Sequence, residues 1–146
     1  MRYKIPIKII ELESDNYHLL VFSEFQDGTK VNWVIDTGAS KTVFDKNLEG
    51  YFVTSEDELE ELHSAGINDE IIKTSVGYVN PFFIGNLKVE QMKVALLDMA
   101  HINELYSKAV DLQICGLIGS DFLLKYKAVI DYKRKRLLLS ANALTI

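Results

Sequence analysis

Most of the chain consists of short apolar runs in which apolar and polar residues partly alternate, a pattern typical of β-strands. Asp27 and Gly28 lie between two of these runs and predict a tight hairpin turn. The predicted strands cover residues 3–13, 17–25, 31–35, 71–79, 82–84, 88–97, 114–118, 128–130 and 136–140.

Two segments carry the signals of short helices. Ser55 is a suitable N-cap for a helix over residues 55–62, and Glu58 three positions later completes a capping box. A second helix is predicted over residues 101–109, and a short one follows Gly119. The expected fold class is therefore all-β, with two or three short helices.

Length and charge favour one folded domain. The chain has 146 residues, with 16 Lys and Arg against 21 Asp and Glu and a formal net charge of −5. No stretch rich in proline, serine or glycine marks a linker, so we expect residues 1–146 to form a single domain. The acidic balance argues against nucleic acid as a partner, because neutralising phosphates requires a surplus of Lys and Arg.

The cysteine content and the apolar runs favour a cytoplasmic protein that does not contact a membrane. Cys115 is the only cysteine, so no disulfide can form within the chain and no oxidising compartment is required. Lys4, Pro6 and Lys8 interrupt the first apolar run, and we expect no signal peptide. No segment approaches the ~20 apolar residues that a membrane-spanning helix needs.

An acidic residue at the end of an apolar run is the strongest chemical signal in the sequence. Asp36 directly follows residues 33–35, where a carboxylate is costly unless it is hydrogen-bonded. Gly38 would permit a sharp turn and offer its N–H to this carboxylate, and Thr37 supplies a hydroxyl that could fix the loop. For an isolated motif, the alternative is an Asx-turn that merely ends a strand.

A second motif, about eighty positions further on, makes the first more specific. There an apolar strand stops at a glycine and leads into a short helix. The two motifs together resemble the signatures of the aspartic peptidases, and those of the retropepsin-like group most closely. The residues that carry this resemblance are Asp36, Thr37, Gly38, Ala39 and Ser40 in the first motif and Gly116, Gly119 and Asp121 in the second.

The resemblance covers roughly residues 17–140 and implies a closed-barrel acid-protease fold. It implies an aspartic endopeptidase in which Asp36 is catalytic, residues 37–40 form the active-site loop, and the second motif supports that loop. The implied substrates are extended peptides or unfolded protein segments, and no cofactor is implied. The three histidines are far apart in sequence, so we expect no metal site.

The chemistry of such an enzyme requires two carboxylates that share a proton. This chain contains one Asp-Thr-Gly, and bilobed pepsin-like enzymes need roughly twice its length. We therefore expect a symmetric homodimer in which Asp36 of each subunit meets the other on the two-fold axis.

A hairpin flap over the substrate is a further property that the resemblance implies. Gly66, within residues 64–68, is the best candidate for the flap glycine. An ordinary connection after the predicted helix is an equally acceptable interpretation of this segment.

Two further features leave alternatives open. The apolar chain ends, residues 3–10 and 137–146, could interleave with those of a second subunit, as in retropepsin-like dimers, or pair within one subunit. Lys133, Arg134, Lys135 and Arg136 could form an anionic docking patch, although four charges at a hairpin tip are usually a solvated turn.

Two other classes of function are compatible with the sequence. The same fold could serve as a peptide-binding or dimerisation module in which Asp36 is unproductive. A phosphotransferase that depends on the aspartate is a weaker third possibility, because the sequence has no glycine-rich phosphate-binding loop.

Overall fold

The computed structural model of the chain describes residues 1–63 and 71–141. Two helices and thirteen strands form within these residues. The helices are α1 (Ala100–Val110) and α2 (Ser120–Lys125), and the strands are β1 (Arg2–Pro6), β2 (Lys8–Glu13), β3 (Asn16–Phe25), β4 (Lys30–Ile35), β5 (Val43–Asp45), β6 (Phe52–His63), β7 (Ile71–Val79), β8 (Phe82–Ile84), β9 (Leu87–Val89), β10 (Met92–Leu97), β11 (Ile114–Ile118), β12 (Val129–Asp131) and β13 (Arg136–Ser140). The expectation of a mostly β protein is confirmed.

One large sheet curls into a half-barrel and carries most of the strands. Its strand order is β6-β7-β10-β5-β11-β4-β3-β8-β9, and β2 pairs with β3 off this path. The parallel pairing of β4 with β11 lies in the middle of this order and places Ile118 beside Ile35. The first sequence motif follows β4 and the second includes the end of β11, so the two motifs lie side by side.

The inner face of the sheet packs around large aromatic side chains. Trp33 and Phe82 stack with ring centroids 5.3 Å apart, and Phe44 packs against Trp33 at 5.6 Å. The indole of Trp33 donates a hydrogen bond to the Ser23 hydroxyl over 2.9 Å, so its buried N–H is satisfied. Burial raises the pKa of the Cys115 thiol, which is typical of an unreactive cysteine.

The predicted helix over residues 55–62 is wrong. These residues belong to β6, which pairs antiparallel with β7 from Phe52 opposite Val79 to His63 opposite Ile71. A capping box stabilises a helix by only about 1 kcal/mol. A long ladder of hydrogen bonds to β7 outweighs that local preference, and sequence-local signals do not report such a partner.

The chain ends pair with each other in a separate three-stranded sheet with the order β1-β13-β12. Tyr3 lies opposite Leu139 and Ile5 opposite Leu137, and the amide of Ala141 donates to the carbonyl of Met1 over 2.9 Å. Of the two alternatives for the chain ends, pairing within one subunit is therefore the one observed for β1 and β13.

Candidate active site

Asp36 is the first residue after β4, and backbone hydrogen bonds fix its position. Its amide donates to the carbonyl of Ile118 over 2.9 Å, which continues the pairing of β4 with β11 by one residue. The Gly38 amide donates to Oδ1 of Asp36 over 3.0 Å, and the Ala39 amide donates to the Asp36 carbonyl over 3.1 Å. The loop thus turns sharply around a half-buried carboxylate.

The loop after Asp36 is tied to the start of α2. The amide of Ser120 donates to the carbonyl of Ala39 over 2.8 Å, and its hydroxyl donates to the carbonyl of Thr37 over 3.2 Å. Thr37 therefore contributes its carbonyl to this contact. Thr37, Gly38 and Ser40 are exposed in the loop.

Thr42 connects the two motifs and was not singled out from the sequence. Its side chain is fully buried; its hydroxyl donates to Oδ1 of Asp121 over 2.7 Å and accepts the amide of Gly119 over 3.2 Å. Asp121 Oδ1 also accepts the amide of Phe122 over 2.8 Å. One hydroxyl, two positions after the first motif, thus contacts two residues of the second motif.

The two glycines of the second motif allow its backbone to lie against the first motif. A Cβ added to Gly119 would lie 2.7 Å from the Lys41 carbonyl and 2.8 Å from the Ala39 carbonyl oxygen. A Cβ on Gly116 would collide with the Val43 carbonyl and the Trp33 ring. Only glycine permits these approaches without movement of the backbone.

A cleft of about 610 Å³ opens beside Asp36 and Thr37. Its walls are formed by the β2–β3 hairpin, by α1, by the ends of β4 and β11, and by Tyr132. Most of the lining is apolar, and three large side chains at its rim are more than half exposed: Tyr17, Leu105 and Tyr132. Clefts of this size and character hold small ligands or several side chains of a peptide.

Tyr106 forms part of the cleft wall. Its ring contacts His18 edge to face, with centroids 5.7 Å apart. Burial raises the pKa of Tyr106 to about 12, so its hydroxyl remains protonated across the neutral and acidic range. Tyr106 therefore contributes a neutral, packed surface and no charge.

The candidate flap residue Gly66 lies outside the described residues. The strands on either side of it, β6 and β7, form an antiparallel pair. Among the described residues, no helix has the length and apolar character needed to cross a membrane.

Comparison with known proteins identifies the class. A family model described as aspartyl protease matches residues 24–122, which is more than half of the chain, so the chain belongs to the aspartyl protease family. The matched segment contains both motifs. Family membership and the curled, mostly β sheet confirm the expected acid-protease fold and support a protease-type function. No curated protein gives a significant match to the chain.

Solved structures agree with this assignment at the level of the fold. Edgp matches at 10% identity with a TM-score of 0.56, and conglutin gamma from lupine seeds at 7% with a TM-score of 0.52. The matches cover 97% and 96% of this chain but only 46% and 49% of those proteins, so the chain spans about half their length. A retropepsin-like aspartic protease from Rickettsia conorii matches at 17% identity, covering 95% of this chain and 90% of that one, with a TM-score of 0.49.

Proposed function

We propose that the protein is an aspartic endopeptidase that hydrolyses peptide bonds as a homodimer. The observation that carries this proposal is the position of Asp36 in an aspartyl protease chain: its carboxylate is oriented by the Gly38 amide and borders an apolar cleft. An extended peptide in that cleft would present its backbone to the carboxylate.

The second carboxylate is proposed to come from a second copy. The sequence contains one Asp-Thr-Gly, and the other acid that lines the cleft, Glu13, is an exposed residue at the end of β2 without such a loop. The chain also spans only about half of two longer proteins that share its fold. A two-fold axis beside Asp36 would supply the missing group.

In the proposed mechanism the two Asp36 carboxylates hold one proton and a water molecule between them. The ionised carboxylate removes a proton from the water, whose oxygen attacks the scissile carbonyl carbon, while the protonated carboxyl group gives its proton to the carbonyl oxygen. The C–N bond of the resulting tetrahedral diol then breaks, as the leaving nitrogen takes the proton that came from the water and the diol returns the other proton to the carboxylate pair. The loop that follows Asp36 is formed by Thr37, Gly38, Ala39 and Ser40. The second motif supports this loop through Gly116, Gly119 and Asp121. Gly66 is proposed to lie in a flap over the substrate.

The proposal fits a single-domain chain acting in the cytoplasm. Cys115 is buried and is the only cysteine, so a reducing compartment would not alter the fold. Peptides and unfolded segments are the proposed substrates.

The direct test compares the wild type with Asp36→Asn on a library of denatured peptides between about pH 4 and pH 7.5. This range includes the pKa of an ordinary aspartate and a raised pKa of a carboxyl pair that shares a proton. New termini are identified by mass spectrometry. We expect cuts from the wild type alone. Asp111→Asn is the matched control, because Asp111 is an exposed acid at the end of α1 that does not line the cleft.

Subunit mixing tests the shared site. If both Asp36 carboxylates are required, an equimolar mixture of wild type and Asp36→Asn with full subunit exchange retains about one quarter of the specific activity of an all-wild-type sample, because only one dimer in four has two aspartates. Activity of one half would indicate independent subunits. A folded wild type that cuts nothing at any pH would instead favour the non-catalytic peptide-binding module.

A further inference from the structure

The hydroxyl of Tyr106 is a polar group that makes no hydrogen bond within residues 1–63 and 71–141. Only 3% of the surface of Tyr106 is exposed, and a buried tyrosine hydroxyl usually has a partner. Among the described residues, Arg136 Nε is the one side-chain nitrogen or oxygen that is both fully buried and without a partner. The Tyr106 hydroxyl is therefore not fully buried, and because Tyr106 lines the cleft beside Asp36, its hydroxyl is available to a ligand there.

The ring of Tyr106 is held firmly by the elements around the cleft. It belongs to an apolar cluster with Ile10, Leu20 and Val34, and His18 contacts it edge to face at 5.7 Å. A ring fixed in this way has little conformational freedom left to lose when a ligand binds. Burial raises the pKa of Tyr106 to about 12, so the hydroxyl keeps its proton at neutral pH and can donate a hydrogen bond.

The rest of the lining determines which ligand group the hydroxyl suits. Leu12, Val34, Ile102 and Leu117 give the cleft an apolar character. A charged side chain among them would lose its hydration, and Asp36 in the same cleft would also repel a carboxylate. An apolar side chain would displace water from the hydroxyl and leave it unpaired, which also costs free energy. A neutral polar side chain avoids both penalties.

A carboxamide is the neutral group that matches the polar atoms of the cleft. Its carbonyl oxygen can accept a hydrogen bond from the Tyr106 hydroxyl. Asn16 and His18 line the same cavity, and each carries an atom that can accept a hydrogen bond from the carboxamide NH2 group. The side-chain nitrogen of Asn16 lies 3.5 Å from Oε2 of Glu13, a contact that does not use the side-chain oxygen of Asn16.

We propose that Tyr106 determines the specificity of a side-chain subsite for a carboxamide, so that the cleft selects peptides with glutamine or asparagine among apolar residues. The inference rests on the proposed function in taking the occupant to be a peptide. In the proposed dimer each subunit contributes one Tyr106, so both halves of the substrate cleft carry the same subsite. The selected residues therefore lie at equal distances on the two sides of the cleaved bond.

Binding is measured with the Asp36→Asn protein, so that peptides stay intact and the result does not depend on proteolysis. Fluorescent peptides of eight apolar residues each carry one guest residue, and the guest is moved through the inner positions in turn. The guests are glutamine, leucine, glutamate and lysine. At its best position, we expect glutamine to bind about fivefold more tightly than each of the other three guests, which corresponds to one net hydrogen bond.

Tyr106→Phe, made in the same Asp36→Asn protein, identifies the hydroxyl as the cause. The affinity for the glutamine peptide should fall about fivefold, while the leucine peptide binds at least as well as before, so the selectivity disappears. Because the hydroxyl has no partner among the described residues, urea denaturation should show no loss of stability. Tyr3→Phe is the matched control, since Tyr3 is a half-buried tyrosine on β1 that does not line the cleft.

Four results would overturn the inference: equal affinity for glutamine and leucine, tighter binding of glutamate or lysine, no binding of any peptide, or an equal effect of Tyr3→Phe. A marked loss of stability in Tyr106→Phe would also overturn it, because the hydroxyl would then have a partner within the protein. A wild type that cuts no peptide while the glutamine selectivity is present would overturn the proposed function alone. Cuts without glutamine selectivity would overturn the subsite alone.

Discussion

The Thr42 hydroxyl donates a hydrogen bond to Oδ1 of Asp121 over 2.7 Å, across 79 positions of sequence. The same hydroxyl accepts the Gly119 amide, so it is both donor and acceptor in a buried contact. Asp36 and Thr42 lie at the two ends of the loop between β4 and β5, so this contact fixes the end of the loop that leads into β5.

Replacing Thr42 by valine should lower the stability of the fold and loosen the loop that carries Asp36. Thr42→Val keeps the shape but leaves the Gly119 amide without its acceptor, which we expect to lower the free energy of unfolding by about 2 kcal/mol. Urea denaturation measures this loss. Thr42→Ser retains the hydroxyl and should lose less than about 1 kcal/mol.

Cleavage kinetics separate a loop effect from a general loss of stability. Under conditions where both variants are fully folded, Thr42→Val should lower kcat while Thr42→Ser remains close to the wild type. Equal kcat for all three proteins would show that the contact stabilises the fold without positioning the loop.

Gly119 should tolerate no side chain. The Cβ of Gly119→Ala would lie within 2.8 Å of two backbone carbonyl groups, and backbone cannot move aside as a flexible side chain can. We expect a loss of at least about 3 kcal/mol in the free energy of unfolding, measured by chemical denaturation. Gly28→Asn is the control: Gly28 has open space and a φ of +90°, a region that asparagine enters more readily than most residues. A Gly119→Ala protein as stable as this control would contradict the close approach.

The sequence was sufficient for features that depend on neighbouring residues. The strands 31–35 and 114–118, the helix 101–109 and the turn after Asp36 are all found close to their predicted places. Each rests on local apolar runs and on the turn preferences of glycine and aspartate. The hydrogen bond from the Gly38 amide to Asp36 was expected on the same basis and is present.

Features that depend on residues far apart in the sequence could not be predicted from local patterns. Residues 55–62 have helix-favouring signals, but their pairing with β7 decides their structure. The predicted strand 3–13 is divided at Ile7, because β1 pairs with the C-terminal strand and β2 with β3. The roles of Thr42 and Tyr132 could not be predicted, because the contact of Thr42 with Asp121 and the place of Tyr132 in the cleft both depend on segments that are far apart in the sequence.

Asp45 should be essential for the position of α1, which forms a wall of the cleft. Its buried carboxylate accepts the backbone and side-chain amides of Asn47, over 3.1 and 2.9 Å, and the Met99 amide over 3.2 Å. Asp45→Ala leaves the backbone amides of Asn47 and Met99 without this acceptor, while the Asn47 side chain keeps its bond to Asp98, and the change should cost about 3 kcal/mol in chemical denaturation. Asp45→Asn keeps an acceptor oxygen and should cost clearly less. Equal losses in the two variants would mean that the hydrogen bonds to Oδ1 contribute little.

The pH dependence of stability should depend in part on Asp98. The Ala100 amide and the Asn47 side chain donate to its carboxylate and lower the pKa of Asp98 in the folded protein. In the unfolded chain an aspartate titrates near about 3.9. The folded state therefore gains stability from ionised Asp98 above that pH, and the gain disappears as the pH falls through the lower folded value.

Asp98→Asn removes this contribution, so the two proteins should differ most in free energy of unfolding at about pH 6 and converge toward about pH 2.5. Urea denaturation of both proteins at half-unit pH intervals measures the difference. The same comparison is repeated in the Asn47→Ala protein, with and without Asp98→Asn. The pH-dependent difference in free energy of unfolding should be smaller there, because one of the two donors that lower the pKa of Asp98 is missing. A gap that stays constant from pH 6 to pH 2.5 would show that these hydrogen bonds do not favour the ionised form.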